Sequence, residues 1–391
     1  MKRPVVALAA VVAALMVAGG MGVAVNRSSS SSPAPTSTSV PATSSSTTAP
    51  AAPATPGPLD EVLPGLQAFV ERERGLKFKG PVRTTVLEGP AFAERAVAAE
   101  TADLEEAEET EAVLKAIGLL ERDVDLKKAV ERFVEASALG FYDSETDELV
   151  LRGSRVTPLV RITLVHELLH ALEDQHFNLH REDLGDEAAV GFLALLEGSA
   201  LRIEDRYRDS LPATERRDAE REEESLADQL PLDLPEVVEA AYGFPYQYGP
   251  DLVRALLREG GQARLDAAFA DPPASSEQVL DPRRYLRGDR PKEVAVPKAD
   301  GEPFDDGEVG ALFLILMLDV ELGTGRALEA AIGWGGDRYV AWRDGRRTCV
   351  RMEFVMDSPH HTTELEEALR DWADRRQGGA TASGTTLTTC A

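Results

Sequence analysis

An α+β fold, mostly helical with a small mixed sheet and a C-terminal hairpin–helix–strand element, is the class predicted for this 391-residue chain. Three observations predict it. Runs rich in Ala, Leu and Glu recur at helical spacing, clearest over residues 91–117, 159–172 and 186–207. Two short stretches, 139–143 and 148–152, flank a Ser-Glu-Thr-Asp turn and read as a β-hairpin just before the second of those runs. The tail from residue 339 reads as hairpin, helix and strand.

The chain begins with Lys2 and Arg3, followed by an uncharged apolar stretch over 5–25. Its length fits a membrane anchor and its Ala/Gly content fits a secretory signal cut after Gly22-Val23-Ala24, so residues 1–26 carry both readings. Either way the basic end stays inside and the rest is exported, secreted or held at the membrane through this segment alone. Residues 27–58 are almost only Ser, Thr, Pro and Ala; nothing there can bury a core, and a disordered stalk is expected. Residues 59–391 are long enough for one large domain, with 301–391 a candidate subdomain. A formal charge of −26 argues against nucleic acid and anionic membrane surfaces as partners. The two Cys, Cys349 and Cys390, most simply form one disulfide in an exported chain.

In chain order, 59 to about 74 has helical spacing and 82–87 alternates as a strand does. Residues 91–117 read as helix broken once, and 126–138 as another. After the hairpin, Thr157-Pro158 supplies an N-cap and a Pro at the first helical position, so a helix starts there. A second long helix is expected from about 186 to 207, and the Arg/Glu mixture over 212–229 reads as a solvated helix or mobile insertion. Residues 252–258 are helical and stop at Gly260-Gly261; 311–318 is apolar all round, too short to span a bilayer, and reads as a buried helix. Residues 339–342 pair across Asp344-Gly345 with 348–355, 363–375 is helical, and 385–389 is a final strand.

The most informative segment is His166-Glu167-Leu168-Leu169-His170. Two histidines four apart on a helix project from one face, about 40° apart around the axis and about 6 Å along it. Both imidazoles can then reach one Zn²⁺ at about 2.0–2.1 Å, with the intervening Glu167 beside the metal's water. With six His in the chain, chance produces this pattern on the order of 0.01 times. A hydrolytic zinc takes three protein ligands, and two residues compete for the third place. His176 lies six after His170, a spacing that works when the helix stops at a Gly; the required position here is Glu173. Glu197 sits among Phe192, Leu193, Leu195, Leu196 and Leu201, where a carboxylate is costly unless paired or metal-bound. Asp174 shares the face of His170 and is a candidate acceptor that orients an imidazole.

With these residues in place the chain resembles the zincin metallopeptidases, in the gluzincin arrangement of H-E-x-x-H plus a downstream Glu. The run from His166 through Phe177 also resembles a group of exported bacterial proteins, as do Glu197-Gly198, the segment 272–280 and Gly333-Trp334-Gly335-Gly336-Asp337. Where that group has His-Pro after the Glu277 segment, this chain has Asp281-Pro282, which leaves one expected transition-state donor unfilled or moved. The resemblance implies a zincin-like fold, with the sheet above the motif helix and its edge strand along a cleft, the hairpin before Thr157 being placed to supply that strand. A substrate peptide could add to such an edge.

The expected activity is zinc-dependent hydrolysis of a peptide or protein substrate outside the cytoplasm, with His166, His170 and Glu197 as ligands and Glu167 as general base. Tyr246, Tyr248 and the Glu277 segment are candidate donors or cleft residues. The rival readings are a stalked binding or envelope-organising module with a structural or vestigial zinc, and a zinc hydrolase acting on a non-peptide amide or ester.

Overall fold

Local capping signals start the elements that carry the motif. The computed structural model describes residues 59–101, 107–231, 233–376 and 379–391. The expected signal or anchor and the stalk lie outside these. Among the described residues no helix is long and apolar enough to cross a membrane. Helix α1 (Leu59–Arg74) leads to strand β1 (Arg83–Leu87), then α2 (Gly89–Thr101) and α3 (Ala107–Ile117), with 102–106 outside the described residues. Helix α4 (Leu126–Ser137) is capped by the Asp125 carboxylate, which accepts from Lys128 N.

The expected hairpin forms from β2 (Gly140–Asp143) and β3 (Glu148–Arg152), with Phe141 opposite Val150. Asp143 Oδ1 closes the turn by accepting the N–H groups of Glu145 and Thr146 at 3.0 and 3.1 Å. β1 adds parallel to β3, giving a mixed sheet in the order β1-β3-β2 with β2 at its edge. Next comes α5 (Pro158–Phe177), which starts as read: Thr157 Oγ1 accepts Val160 N at 3.2 Å, and Pro158 takes the first position. Helix α6 (Asp186–Ser210) follows, then α7 (Ala213–Ala227), the Arg/Glu-rich stretch, which is a largely exposed helix.

The reading of 252–258 needs correction. It is part of α8 (Glu236–Ala270), which begins well upstream and contains Pro245 and Pro250. Proline removes a backbone donor and disfavours helix interiors, but here Val237, Val238, Ala241, Tyr242, Phe244 and Leu252 are buried, and that packing outweighs the local cost. The break at Gly260-Gly261 is present, Gly261 having φ +64°. Short helices α9 (Ser276–Leu280) and α10 (Pro282–Arg287) come next.

The C-terminal part is a five-stranded antiparallel sheet, β4 (Pro303–Gly307), β5 (Trp334–Asp344), β6 (Arg347–Met356), β7 (Thr381–Ser383) and β8 (Thr386–Cys390), ordered β4-β5-β6-β8-β7. It is packed by α11 (Gly310–Leu322), α12 (Thr324–Ala331) and α13 (Pro359–Arg375). The tail therefore ends in a hairpin rather than a lone strand. Cys349 and Cys390 are bonded across β6 and β8. Most of its buried side chains belong to one cluster that runs from Phe92 to Leu387, and a small separate cluster of Val340, Trp342 and Cys349 lies at the disulfide.

Two packing features position the motif helix. α5 is buried almost all round from Leu159 to Glu173, between α1, α6, α7 and the edge strand β2. Leu164, Leu168, Leu169 and Leu172 are fully buried, each contributing about 1.5–3 kcal/mol relative to exposure. That apolar frame offsets the cost of holding imidazoles and carboxylates out of water beside it. The other feature is a joint between the N-terminal turn of α6 and the C-terminal part. Glu187 Oε2 accepts Ser276 N and Oγ at 2.8 and 2.7 Å, and Asp186 Oδ2 accepts Glu308 N at 2.9 Å. Asp337 accepts Val309 N, Gly310 N and Trp334 Nε1 at 2.7–2.9 Å.

Candidate metal centre

The i,i+4 spacing does what helix geometry requires: His166 and His170 leave α5 on one face, with ring centroids 4.8 Å apart. Glu197 comes from the middle of α6, which runs beside α5. Glu197 Oε2 lies 3.1 Å from His166 Nε2, and Oε1 lies 3.5 Å from His170 Nε2. The ligand-type atoms of the three residues are all within 4.8 Å of one another. They lie within ion-pair distance of one another, yet His166 Nε2, His170 Nε2 and Glu197 Oε2 are buried and none makes a hydrogen bond of good geometry. Buried polar atoms that the chain leaves without partners are costly. Two imidazole nitrogens and a carboxylate pointing at one spot are a donor set that fits a divalent metal such as zinc.

Glu167 is fully buried beside them. Its Oε2 accepts the Tyr142 N–H of edge strand β2 at 2.9 Å, while Oε1 has no partner. Burial, with Glu197 nearby, pushes its pKa well above 4.5 against the pull of His166. Burial lowers the affinity of the His166 imidazole for a proton, but the adjoining Glu197 outweighs this and holds it well above 6.5. Burial would raise Glu197, yet the two imidazoles hold it down at about 2.

Behind the cluster, His166 Nδ1 meets Glu204 Oε2 at 3.0 Å; the carboxylate accepts an Nδ1–H, and Nε2 is the nitrogen that faces Glu197. Arg208 Nη2 holds the other oxygen of Glu204 at 3.2 Å and is itself paired with Glu223 at 2.6 Å. Glu204 was not anticipated from the sequence. The signal was available, because a residue seven after Glu197 lies on the same face of a helix two turns on.

Asp174 needs correction as the imidazole's acceptor. Its carboxylate takes the Tyr142 hydroxyl at 2.8 Å and Leu179 N at 2.7 Å, closing the end of α5 instead. His176 does not join the cluster either, since its Nε2 meets Lys77 O at 2.8 Å. The helix runs on through Glu173, which carries His176 around to another face. Glu173, where a turn-forming Gly was the alternative, is fully buried. Its Oε1 accepts Arg74 Nε and Ser199 Oγ, both at 2.6 Å, which ties α1, α5 and α6 together one turn beyond the ligands.

Gly198 explains why Glu197 is followed by a glycine. A Cβ there would lie 2.3 Å from Gly249 C and O, and one on Gly249 would lie 2.2 Å from Ala194 O. The backbones of α6 and α8 touch at this point. The contact brings Tyr246, about one turn before Gly249, toward the cluster. The Tyr246 hydroxyl is buried with Tyr242 as its neighbour, and burial together with Glu197 and Tyr242 pushes its pKa well above 10. Tyr248 packs against Phe244, with centroids 5.2 Å apart. Glu277 is engaged by Arg284 at 3.2 Å and burial raises it to about 8; its segment serves the joint with Glu187.

A family model described as "Domain of unknown function (DUF8575)" matches residues 296–390. No curated protein and no solved structure matches the chain. The matched span starts after the last residue of the cluster, so the His166–Glu197 centre lies outside it.

Proposed function

We propose that this chain is an exported zinc-dependent hydrolase of the gluzincin kind, acting on peptide bonds of a peptide or protein substrate. One observation carries the reading: ligand-type atoms of His166, His170 and Glu197 converge between α5 and α6, buried and without a hydrogen bond of good geometry, with Glu167 buried beside them. His166, His170 and Glu197 would hold the zinc. A zinc ion bound there supplies Lewis acidity and brings the pKa of a bound water toward about 7.

The remaining work falls to the chain's own groups. Glu167 Oε2 is anchored by Tyr142 N, which leaves Oε1 free to take a proton from the attacking water and return it to the leaving amine. The Tyr246 hydroxyl, buried near Glu197 and Glu167, would donate to the oxyanion as the carbonyl carbon becomes tetrahedral. It would fill the role left open by Asp281. Glu204 keeps the His166 tautomer fixed with Nε2 facing the centre.

A second reading, a structural zinc in a stalked binding module, is favoured by one fact. The residues of the centre are 1–6% exposed, His170 the most. Replacing Glu167 with Gln separates the two. In the catalytic reading zinc content stays as in the parent while a proteome-wide cleavage profile loses its new termini. An unchanged profile removes Glu167 as the base, and no cleavage by the zinc-loaded parent favours the structural reading.

A further inference from the structure

A cavity of about 270 Å³ lies away from the metal centre, between the limb of α8 that follows Gly260-Gly261, α9 and α10. It shares no residue with the His166–Glu197 cluster. Its volume is just below the about 300–1,000 Å³ of small-molecule sites, which suits a small metabolite-sized ligand.

The groups facing it differ in what they have left to offer. Tyr285 gives its hydroxyl to Asp271 O at 2.6 Å. The Gln278 amide accepts Ala274 N at 2.6 Å and donates to Asp289 O. Arg290 is paired with Asp271, the one carboxylate in the lining. Arg264 and Arg287 remain. Arg264, half-buried, lies with its guanidinium 5.0 Å from the Tyr285 ring and within hydrogen-bond reach of its hydroxyl, Arg287 is exposed at the rim, and among the described residues neither has a carboxylate within ion-pair distance. Their neighbours are not like this: Arg283 is held by Asp281 at 2.7 Å, and Arg284 by Glu277, Asp289 and Asp357 at 2.6–3.2 Å. The chain has 68 acidic residues against 42 Lys and Arg, so carboxylates for pairing are in excess. Two guanidiniums on different elements, lining one cavity and lacking a carboxylate, leave positive charge as its open chemistry.

We propose that this cavity binds a small organic anion through Arg264 and Arg287, its body lying against Tyr285 and Leu286. The guanidinium fork matches a carboxylate or a phosphate oxygen pair, and that oxyanion is the chemistry the two share. The site stands whether or not the metal centre is catalytic.

The test is calorimetric titration of the full chain at low ionic strength, where such contacts are least screened. Citrate is the carboxylate probe and phenyl phosphate the phosphate-ester probe. At least one should bind with a Kd below about 1 mM, and the one that binds tells which oxyanion the site takes. Arg264→Gln and Arg287→Gln should each weaken it about tenfold or more, as loss of a charge-assisted hydrogen bond predicts, with the thermal unfolding midpoint of each variant near that of the parent. The proposal is overturned if neither probe saturates below about 10 mM, or if the double variant binds as tightly as the parent.

Discussion

Helix α6 carries buried carboxylates at two places, and the chain treats them in opposite ways. At its N-terminal turn, Glu187 receives a backbone N–H and a hydroxyl from Ser276, and the neighbouring Asp337 receives three N–H groups. Burial raises these two to about 8 and about 7. In its middle, Glu197 has one oxygen without a hydrogen bond of good geometry and faces two imidazole nitrogens equally without one, which hold it near 2. Desolvation is severe at both places, so burial alone does not distinguish a joint from a site. The difference lies in how the hydrogen bonding is completed: at Glu187 backbone and hydroxyl donors do it, and at Glu197 only the two imidazoles are at hand, which leaves room for the metal proposed above.

Three substitutions test that contrast. The largest effect is expected from Glu197→Ala, which should take zinc content from about one ion per chain to near none in metal analysis; Glu187→Gln should leave it unchanged. Full retention of zinc in the first would move the ligand assignment elsewhere. Glu204→Ala should weaken zinc affinity by about 10–100-fold in chelator competition, because it removes the acceptor that orients His166. An unchanged affinity would make Glu204 a packing residue.

The smallest effect separates the joint from the site by pH. Glu187 and Asp337 bind protons more tightly in the folded chain than unfolded, so their contribution to stability is full below about pH 4. It is lost as pH rises through about 7 and 8. Urea unfolding of chelator-treated protein should therefore show a shallower loss of stability between pH 5 and 8 in Glu187→Gln than in the parent. Equal slopes would remove Glu187 from the titration.

Local signals were legible and long-range ones were not. Thr157-Pro158 marks the start of α5 because capping is a property of four adjacent residues, and the turn at 144–147 declares the hairpin for the same reason. Glu197 stood out because its neighbours are apolar over two turns. The parallel pairing of β1 with β3 has no local signature. The first half of α8 was hidden by Pro245 and Pro250, whose cost is met by tertiary burial. Asp174 illustrates the limit of helical-wheel reasoning. It shares a face with His170, yet Tyr142 from the edge strand reaches it, and no reading of α5 alone places that strand. Glu204 shows the reverse, a residue that the same wheel would have found had it been carried two turns past Glu197.

The glycine contact between α6 and α8 sets a standard of length. Helices that pack through side chains change their separation when a side chain changes. At Gly198 and Gly249 the two main chains meet directly, so the gap between them is a constant of peptide geometry. The span from the Glu197 carboxylate to the Tyr246 hydroxyl is thereby insulated from drift in the surrounding apolar residues. The change that strikes it most directly is the addition of a methyl group at either glycine.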